Sequence, residues 1–406
     1  MSIAPASVPS PRSGFGRQTN RVDSLTGLRV FAAIIVVLYH RGLFALWQLS
    51  PGAARPAEIG FSSVGFFYVL SGFVLTIAYY GREIDRKAFY ISRAARIYPL
   101  YLIALVLSLP GFAFKWHSGE ILFFEGVGAA VLSPLVLQSW IPFTALKWNG
   151  PGWSLSCEAF FYLIFPFVLP RVIEFSKKRL MVGTVALWIL ALLPPLIYTL
   201  TRGVHLLPPI EPVQAAQKAL LPTDNVSDII AFNPLLRAPE FIAGIFLGLY
   251  ALQSGKGQSV KARFGGTLLG SLAFTGLVAV LLLAPRIPTL FLHNGLLLPV
   301  WLLLILSMYR GGFFANALSL APLVFLGEAS YAIYILQSPV SGYLGIALRP
   351  ILHLSFVGQY PTLLSLAIYI VVLVTISCVS FVFVERPARD WINGWWKRIR
   401  NSAKGA

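Results

Sequence analysis

Windows of about 20 apolar residues recur along the whole chain, separated by short basic clusters. A hydrocarbon core is crossed by about 20 helical residues, and only a helix or a closed barrel satisfies its own backbone there. The pattern therefore constrains the chain to a bundle of membrane-spanning helices. Composition agrees: of 406 residues 57% are hydrophobic and 12% charged, too apolar for a soluble domain. Ten spans are expected, at 28–48, 61–80, 97–114, 152–170, 180–200, 231–252, 264–284, 289–309, 322–346 and 362–383. The fold class is all-α, with about ten transmembrane helices and one re-entrant or interfacial segment.

A net charge of +17 would also suit a nucleic-acid binder, but the positions of the charges argue against one. They sit between apolar segments, and 23 of the 32 Lys/Arg fall on one side of the ten-span topology against seven on the other. By the positive-inside rule both termini are cytoplasmic. Segment 121–146 is apolar enough to span. A full crossing would turn Lys177-Lys178-Arg179 and every later loop outward, so a broken segment that does not cross is expected. The first 22 residues read as a disordered cytoplasmic start leading into an uncleaved anchor helix. The Pro-rich 201–230 is expected to fold over the outer face. The tail 387–406, with Trp391, Trp395, Trp396 and its cations, reads as an interfacial helix on an anionic leaflet.

Within the first span, Arg29 and His40 are eleven residues apart. Eleven steps of about 100° return to within about 20°, so the two share a helix face about 16 Å apart along the axis. Arg29 falls at the membrane edge and His40 at depth. An intramembrane histidine is either a packing hydrogen bond between helices or a functional group, and proton transfer near neutral pH is what histidine does best. Arg93 and Arg96, at i and i+3, share a face and suit one phosphate group; plain positive-inside anchoring also accounts for them.

In Gly150-Pro-Gly-Trp153-Ser-Leu-Ser-Cys-Glu158, Trp153 suits the membrane interface. Glu158 enters about two turns deep and should face the interior, to assist a histidine, hold an acceptor hydroxyl or pair with a structural arginine. Arg237 and Glu240 are expected to neutralise one another. Glu328, beside Ser330 and Tyr331, is a candidate for a donor channel or for holding helices together. Glu385-Arg-Pro reads as a structural stop of the last helix. His117, His205, His293 and His353 share no ligand spacing, and neither do Cys157 and Cys378, so no metal is expected.

Taken together, the chain resembles the acyltransferase-3 family of membrane O-acyltransferases. The resemblance rests on Leu25–His40, Gly65-Phe-Phe-Tyr-Val-Leu-Ser71-Gly72-Phe73, Phe89-Tyr-Ile-Ser-Arg93-Ala-Ala-Arg96-Ile-Tyr-Pro99-Leu-Tyr and Gly150–Tyr162. Pro239-Glu-Phe-Ile-Ala-Gly244, Ser330-Tyr-Ala-Ile-Tyr334 and Glu385-Arg-Pro follow in the family's order. It covers about residues 20 to 390 and implies three parts: the N-terminus 1–22, the transmembrane acyltransferase domain 23–386 and the tail 387–406. Two positions depart from the family: Gln337 stands where a histidine is frequent, and Ala159 where a second carboxylate is frequent.

The resemblance implies transfer of an acyl group, by default acetyl, from cytoplasmic acyl-CoA to a hydroxyl of a cell-surface or exported glycan at the bacterial inner membrane. Arg93 and Arg96 would bind CoA phosphates, with Arg29 positioning them. His40 would act as general base or carry the acyl group, with Glu158 as its helper. Ser71, Trp153, Tyr331 and Glu328 are assigned to substrate binding. No resident cofactor is implied; acyl-CoA, the acceptor and the bilayer are the partners. The rival is a secondary transporter or flippase with His40 and Glu158 as a proton relay, though no repeated halves with matching broken helices are visible.

Overall fold

A computed structural model describes residues 15–206, 224–255, 260–352 and 363–405. The start of the expected disordered N-terminus, most of the 201–230 loop and His353 lie outside the described residues. Among those described there is no strand, only an isolated bridge between Leu206 and Pro288.

The helices are α1 (Phe15–Arg41), α2 (Leu43–Leu49), α3 (Pro51–Glu58), α4 (Ser63–Tyr79), α5 (Arg86–His117), α6 (Phe123–Leu132), α7 (Trp153–Val172), α8 (Lys177–Arg202), α9 (Asn225–Phe232), α10 (Pro234–Gln253), α11 (Val260–Leu283), α12 (Thr289–His293), α13 (Leu298–Arg310), α14 (Phe313–Leu318), α15 (Ala321–Glu328), α16 (Ser330–Leu352), α17 (Leu363–Ser380) and α18 (Arg386–Gly405). Nine helical stretches among the described residues are long and apolar enough to cross a membrane. The pair Ala321–Glu328 and Ser330–Ala347, bent by 56°, counts as a tenth. These coincide with the ten expected windows, and the protein is an all-α polytopic membrane protein. Large apolar side chains stay exposed on the outward faces of α8 (Met181, Val182, Leu190) and α11 (Phe264, Leu268, Phe274), as a lipid-facing surface requires.

α1 runs through the middle of the bundle, packed against α4, α13, α14, α15 and α16. Its helical path continues past Arg41, because Gly42 N–H donates to the Leu38 carbonyl (2.7 Å) and Leu46 N–H to the Gly42 carbonyl (2.9 Å). His40 is therefore inside a longer helical run and not at its end. α4 and α10 form the tightest pair. A Cβ at Gly72 would sit 2.1 Å from the Phe241 carbonyl oxygen, and one at Gly244 2.1 Å from that of Val69. Only glycine allows this backbone approach.

Segment 121–146 does not cross. After α6 the chain turns at Val136, whose φ of +59° is rare for a β-branched residue, and continues through short 3₁₀ turns at Gln138–Trp140 and Pro142–Thr144. Side chains satisfy its buried backbone. Tyr101 donates to the Ser133 carbonyl (2.7 Å) and Thr144 to that of Gln138 (2.7 Å). Non-helical backbone at depth is tolerated on these terms.

One expectation fails at Glu385-Arg-Pro, which does not stop the last helix. Phe381–Glu385 forms a π turn and α18 continues from it. The π turn shifts the hydrogen-bond ladder just before Pro387, where a regular helix would lose a bond and clash with a carbonyl. α18 packs against α5, and Arg400 Nη1 reaches Asp85 Oδ2 at 3.2 Å. Asp85 also caps α5, accepting from Ala88 N–H at 3.1 Å. That backbone bond, and then Arg400, hold the Asp85 carboxyl below the usual carboxylate range. A depressed folded-state value contributes stability above the unfolded value of about 4 and loses it as pH falls through the lower one. Asp85→Asn is expected to loosen α18 at neutral pH, and acid to do so in the wild type. Faster amide hydrogen exchange across 395–402 checks both; unchanged exchange in the variant contradicts it.

Candidate functional site

A cavity of about 240 Å³ opens between α1, α4, α5, α7 and α16. Arg29, Ser71, Arg93, Arg96, Glu158, Tyr162 and Tyr331 all line it. Positions i and i+3 bring Arg93 and Arg96 to one face of α5, and the centrality of α1 brings Arg29 opposite them. Arg93 lies over the rings of Phe89 (5.8 Å) and Tyr162 (5.7 Å), contacts that hold a guanidinium in place without neutralising it. Tyr162, one turn beyond Glu158, donates a hydrogen bond to Glu158 Oε1. Tyr331 donates to the Ile97 carbonyl (2.8 Å), tying α16 to α5 at the cavity wall.

Arg29 and Arg96 each feel the carboxylates of Glu158 and Glu385. Of the charged residues that line the cavity, three are arginines and one is a glutamate, so its formal charge is positive. Arg93 Nε and Ser330 Oγ, on the same wall, are buried with no hydrogen-bond partner among the described residues. Buried polar atoms in native proteins are nearly always paired. A positively charged cavity with unpaired donors is chemically suited to an anion.

His40 does not line this cavity. Its Nδ1 lies 3.0 Å from Gln337 Oε1 on α16. Gln337 Nε2 donates to the Tyr334 carbonyl (2.8 Å), and the Tyr334 hydroxyl accepts from Ser154 Oγ (2.9 Å). Ser154 and Tyr334 line the cavity, so the residue that anchors the Gln337 amide is itself part of the cavity wall. Glu158, expected beside His40, shares its cavity with the arginines and bonds Tyr162.

Two expected substrate residues fall elsewhere. Trp153 is not at an interface: it is 6% exposed, packed on Tyr68 and Phe232, and its carbonyl accepts from Ser139 Oγ (2.7 Å). The 3₁₀ turn Gly150–Gly152 starts α7 inside the bundle, which carries the indole into the core. Glu328 is exposed at the break between α15 and α16 and does not line the cavity. Arg237 and Glu240 do pair, at 2.9 Å and fully buried. Arg237 also donates to the His293 carbonyl and Asn294 Oδ1.

Three residues near the site escaped the sequence reading. Tyr162 carried a signal, since a tyrosine one turn after a buried carboxylate is placed to bond it. Gln337 was visible only as a departure from the family pattern. Glu385, 4% exposed and facing Arg29 and Arg96, is turned inward by the π turn, which no local pattern announced.

A family model described as an acyltransferase domain matches residues 22–384. The chain belongs to the acyltransferase-3 family. Among curated relatives, the acyltransferase MdmB of Streptomyces mycarofaciens is 35% identical over 177 residues, 39% of this chain and 42% of that protein. O-acetyltransferase OatA of Staphylococcus aureus is 24% identical over 397 residues, 91% of this chain and 57% of that protein. The putative peptidoglycan O-acetyltransferase YrhL of Bacillus subtilis is 25% identical over 390 residues, 91% of this chain and 55% of that protein. This acyltransferase-3 chain thus spans about half the length of the curated relatives it matches. No solved structure matches it.

Proposed function

We propose that this protein is a membrane O-acyltransferase that moves an acyl group, by default acetyl, from cytoplasmic acyl-CoA to a hydroxyl of a cell-surface or exported glycan. The observation that carries the reading is the convergence of Arg29, Arg93 and Arg96 on one cavity with unpaired buried donors. CoA presents several phosphate charges, and paired guanidiniums recognise phosphate with planar, charge-assisted bonds. The names of the staphylococcal and Bacillus relatives support O-acetyl transfer, and the Bacillus name, a putative peptidoglycan O-acetyltransferase, supports a glycan acceptor.

In the proposed reaction the acceptor hydroxyl oxygen attacks the thioester carbonyl carbon. His40 takes the hydroxyl proton as general base. The C–S bond breaks, and the same proton passes to the departing thiolate, so ester and free CoA are the products. Arg29, Arg93 and Arg96 hold the donor's phosphates. Glu158, tied by Tyr162, orients the arginine cluster. In this reading both termini are cytoplasmic at a bacterial inner membrane, the orientation that the Lys/Arg asymmetry supports, with the arginine cavity facing cytoplasmic acyl-CoA.

The test is acyl-CoA consumption in inverted vesicles carrying the purified protein, with CoA release followed by a thiol reagent and base-labile acyl groups on the glycan followed by mass spectrometry. Stoichiometric CoA release with glycan acylation is expected. Proton-coupled uptake of a solute with no CoA release would replace this reading with the transporter. Arg96→Gln removes one charge-assisted phosphate contact of about 1.5–3 kcal/mol, a tenfold or larger rise in KM for acyl-CoA. Its kcat is expected to change little; an unchanged KM would exclude Arg96 from the donor site.

A further inference from the structure

We propose that Gln337 is a positioning residue that holds His40 in the Nδ1–H tautomer, so that Nε2 carries the lone pair. This rests on the reading of His40 as the base that takes the acceptor hydroxyl's proton.

Gln337 is 1% exposed, and both ends of it are held. Its backbone carbonyl accepts from the Tyr369 hydroxyl of α17 at 2.9 Å. Its side-chain Nε2 donates to the Tyr334 carbonyl at 2.8 Å. Turning the amide over would set Oε1 against that carbonyl, two acceptors face to face, and would point the NH₂ group at His40. The amide is therefore fixed with Oε1 toward the ring, 3.0 Å from Nδ1. Oε1 only accepts, so Nδ1 must donate. The Val36 carbonyl, one turn back on α1, also accepts from the ring.

A neutral imidazole has one N–H, and with Nδ1 protonated the proton acceptor is Nε2. The same arrangement serves after proton transfer, since Nδ1–H remains a donor in the imidazolium. An uncharged amide sets tautomer and ring orientation without adding a carboxylate beside His40. Its own neighbour Arg41 and the edge of the Tyr39 ring, with centroids 5.0 Å apart, lie beside the imidazole. A histidine at 337 can supply one N–H and one acceptor nitrogen, both roles of the amide. Leucine keeps the volume and supplies neither.

The experiment has a spectroscopic and a kinetic arm. Protein labelled with ¹⁵N-histidine is reconstituted in nanodiscs, and His40 is assigned by the signal lost in His40→Ala. At a pH where the ring is neutral, Nδ1 is expected protonated and Nε2 unprotonated in the wild type, with mixed tautomers in Gln337→Leu. Acyl transfer is then measured on the same samples. Gln337→Leu should lower kcat about 10- to 100-fold with KM for acyl-CoA within twofold, and Gln337→His should recover to within about fivefold of wild type. A protonated Nε2 in the wild type overturns the proposal. So does a Gln337→Leu protein with wild-type kcat, or one whose loss lies in KM alone. If Gln337→Leu does not fold, the wild-type tautomer and the Gln337→His kinetics still decide. Full activity in His40→Ala would instead remove the reading beneath it.

Discussion

His40→Ala is expected to lower acyl transfer by about 10²–10⁴-fold, the range a positioned general base contributes. The loss should lie in kcat. His40 does not line the arginine cavity, so donor binding through Arg29, Arg93 and Arg96 keeps its contacts. The fold should persist as well. His40 is half-buried, and the neighbouring turns of α1 are anchored by Val36, Val37 and Tyr39 in the core. Cells complemented with a stably expressed His40→Ala should therefore carry glycans without the base-labile mass increment, while the purified variant still binds acyl-CoA. An acylated glycan at wild-type level would exclude His40 as the base. Loss of acyl-CoA binding together with activity would move His40 into the donor site.

Arg237→Met is expected to destabilise the folded protein by about 3–5 kcal/mol, the cost of leaving one member of a buried ion pair without its partner. Arg237 and Glu240 are both buried, 2.9 Å apart. The pair fastens α10 to the turn after α12. Arg237 donates to the His293 carbonyl and Asn294 Oδ1, while Glu240 Oε1 accepts from Gly295 N–H at 3.2 Å. Tyr68 on α4 presents its ring to the guanidinium at 5.3 Å, so three elements meet at one side chain. Methionine fills the volume but leaves Glu240 charged in the core. Adding Glu240→Met should recover part of the loss, because the buried charge goes while the Gly295 N–H and His293 carbonyl stay without their partners. Denaturant unfolding in detergent, followed by tryptophan fluorescence, measures both variants. A single variant as stable as wild type would show that the pair is not a fastening.

Much of the architecture was legible because its cause is local. A span is a count of apolar residues against membrane thickness, so the ten windows were found where the helices are. The charge rule also kept 121–146 from being read as an eleventh crossing. Arg93 and Arg96 were readable as a pair because helical spacing alone puts i and i+3 on one face.

Composition and spacing within single segments therefore specify the ten spans, the non-crossing segment and the residue types from which the site is made. The tertiary structure decided their grouping. Arg29 joins Arg93, Arg96 and Glu158 around one cavity, while His40, eleven residues along the same helix, belongs to Gln337. Trp153 goes into the core and Glu328 stays outside. Glu385, read as the end of a helix, turns inward in a π turn. Local spacing fixes which face of a helix a side chain occupies. Which neighbour that face meets depends on backbone approach, such as the Gly72–Gly244 contact, and on helix breaks, such as the one between α15 and α16. Those are properties of packing between segments far apart in the chain, and no pattern within one segment encodes them.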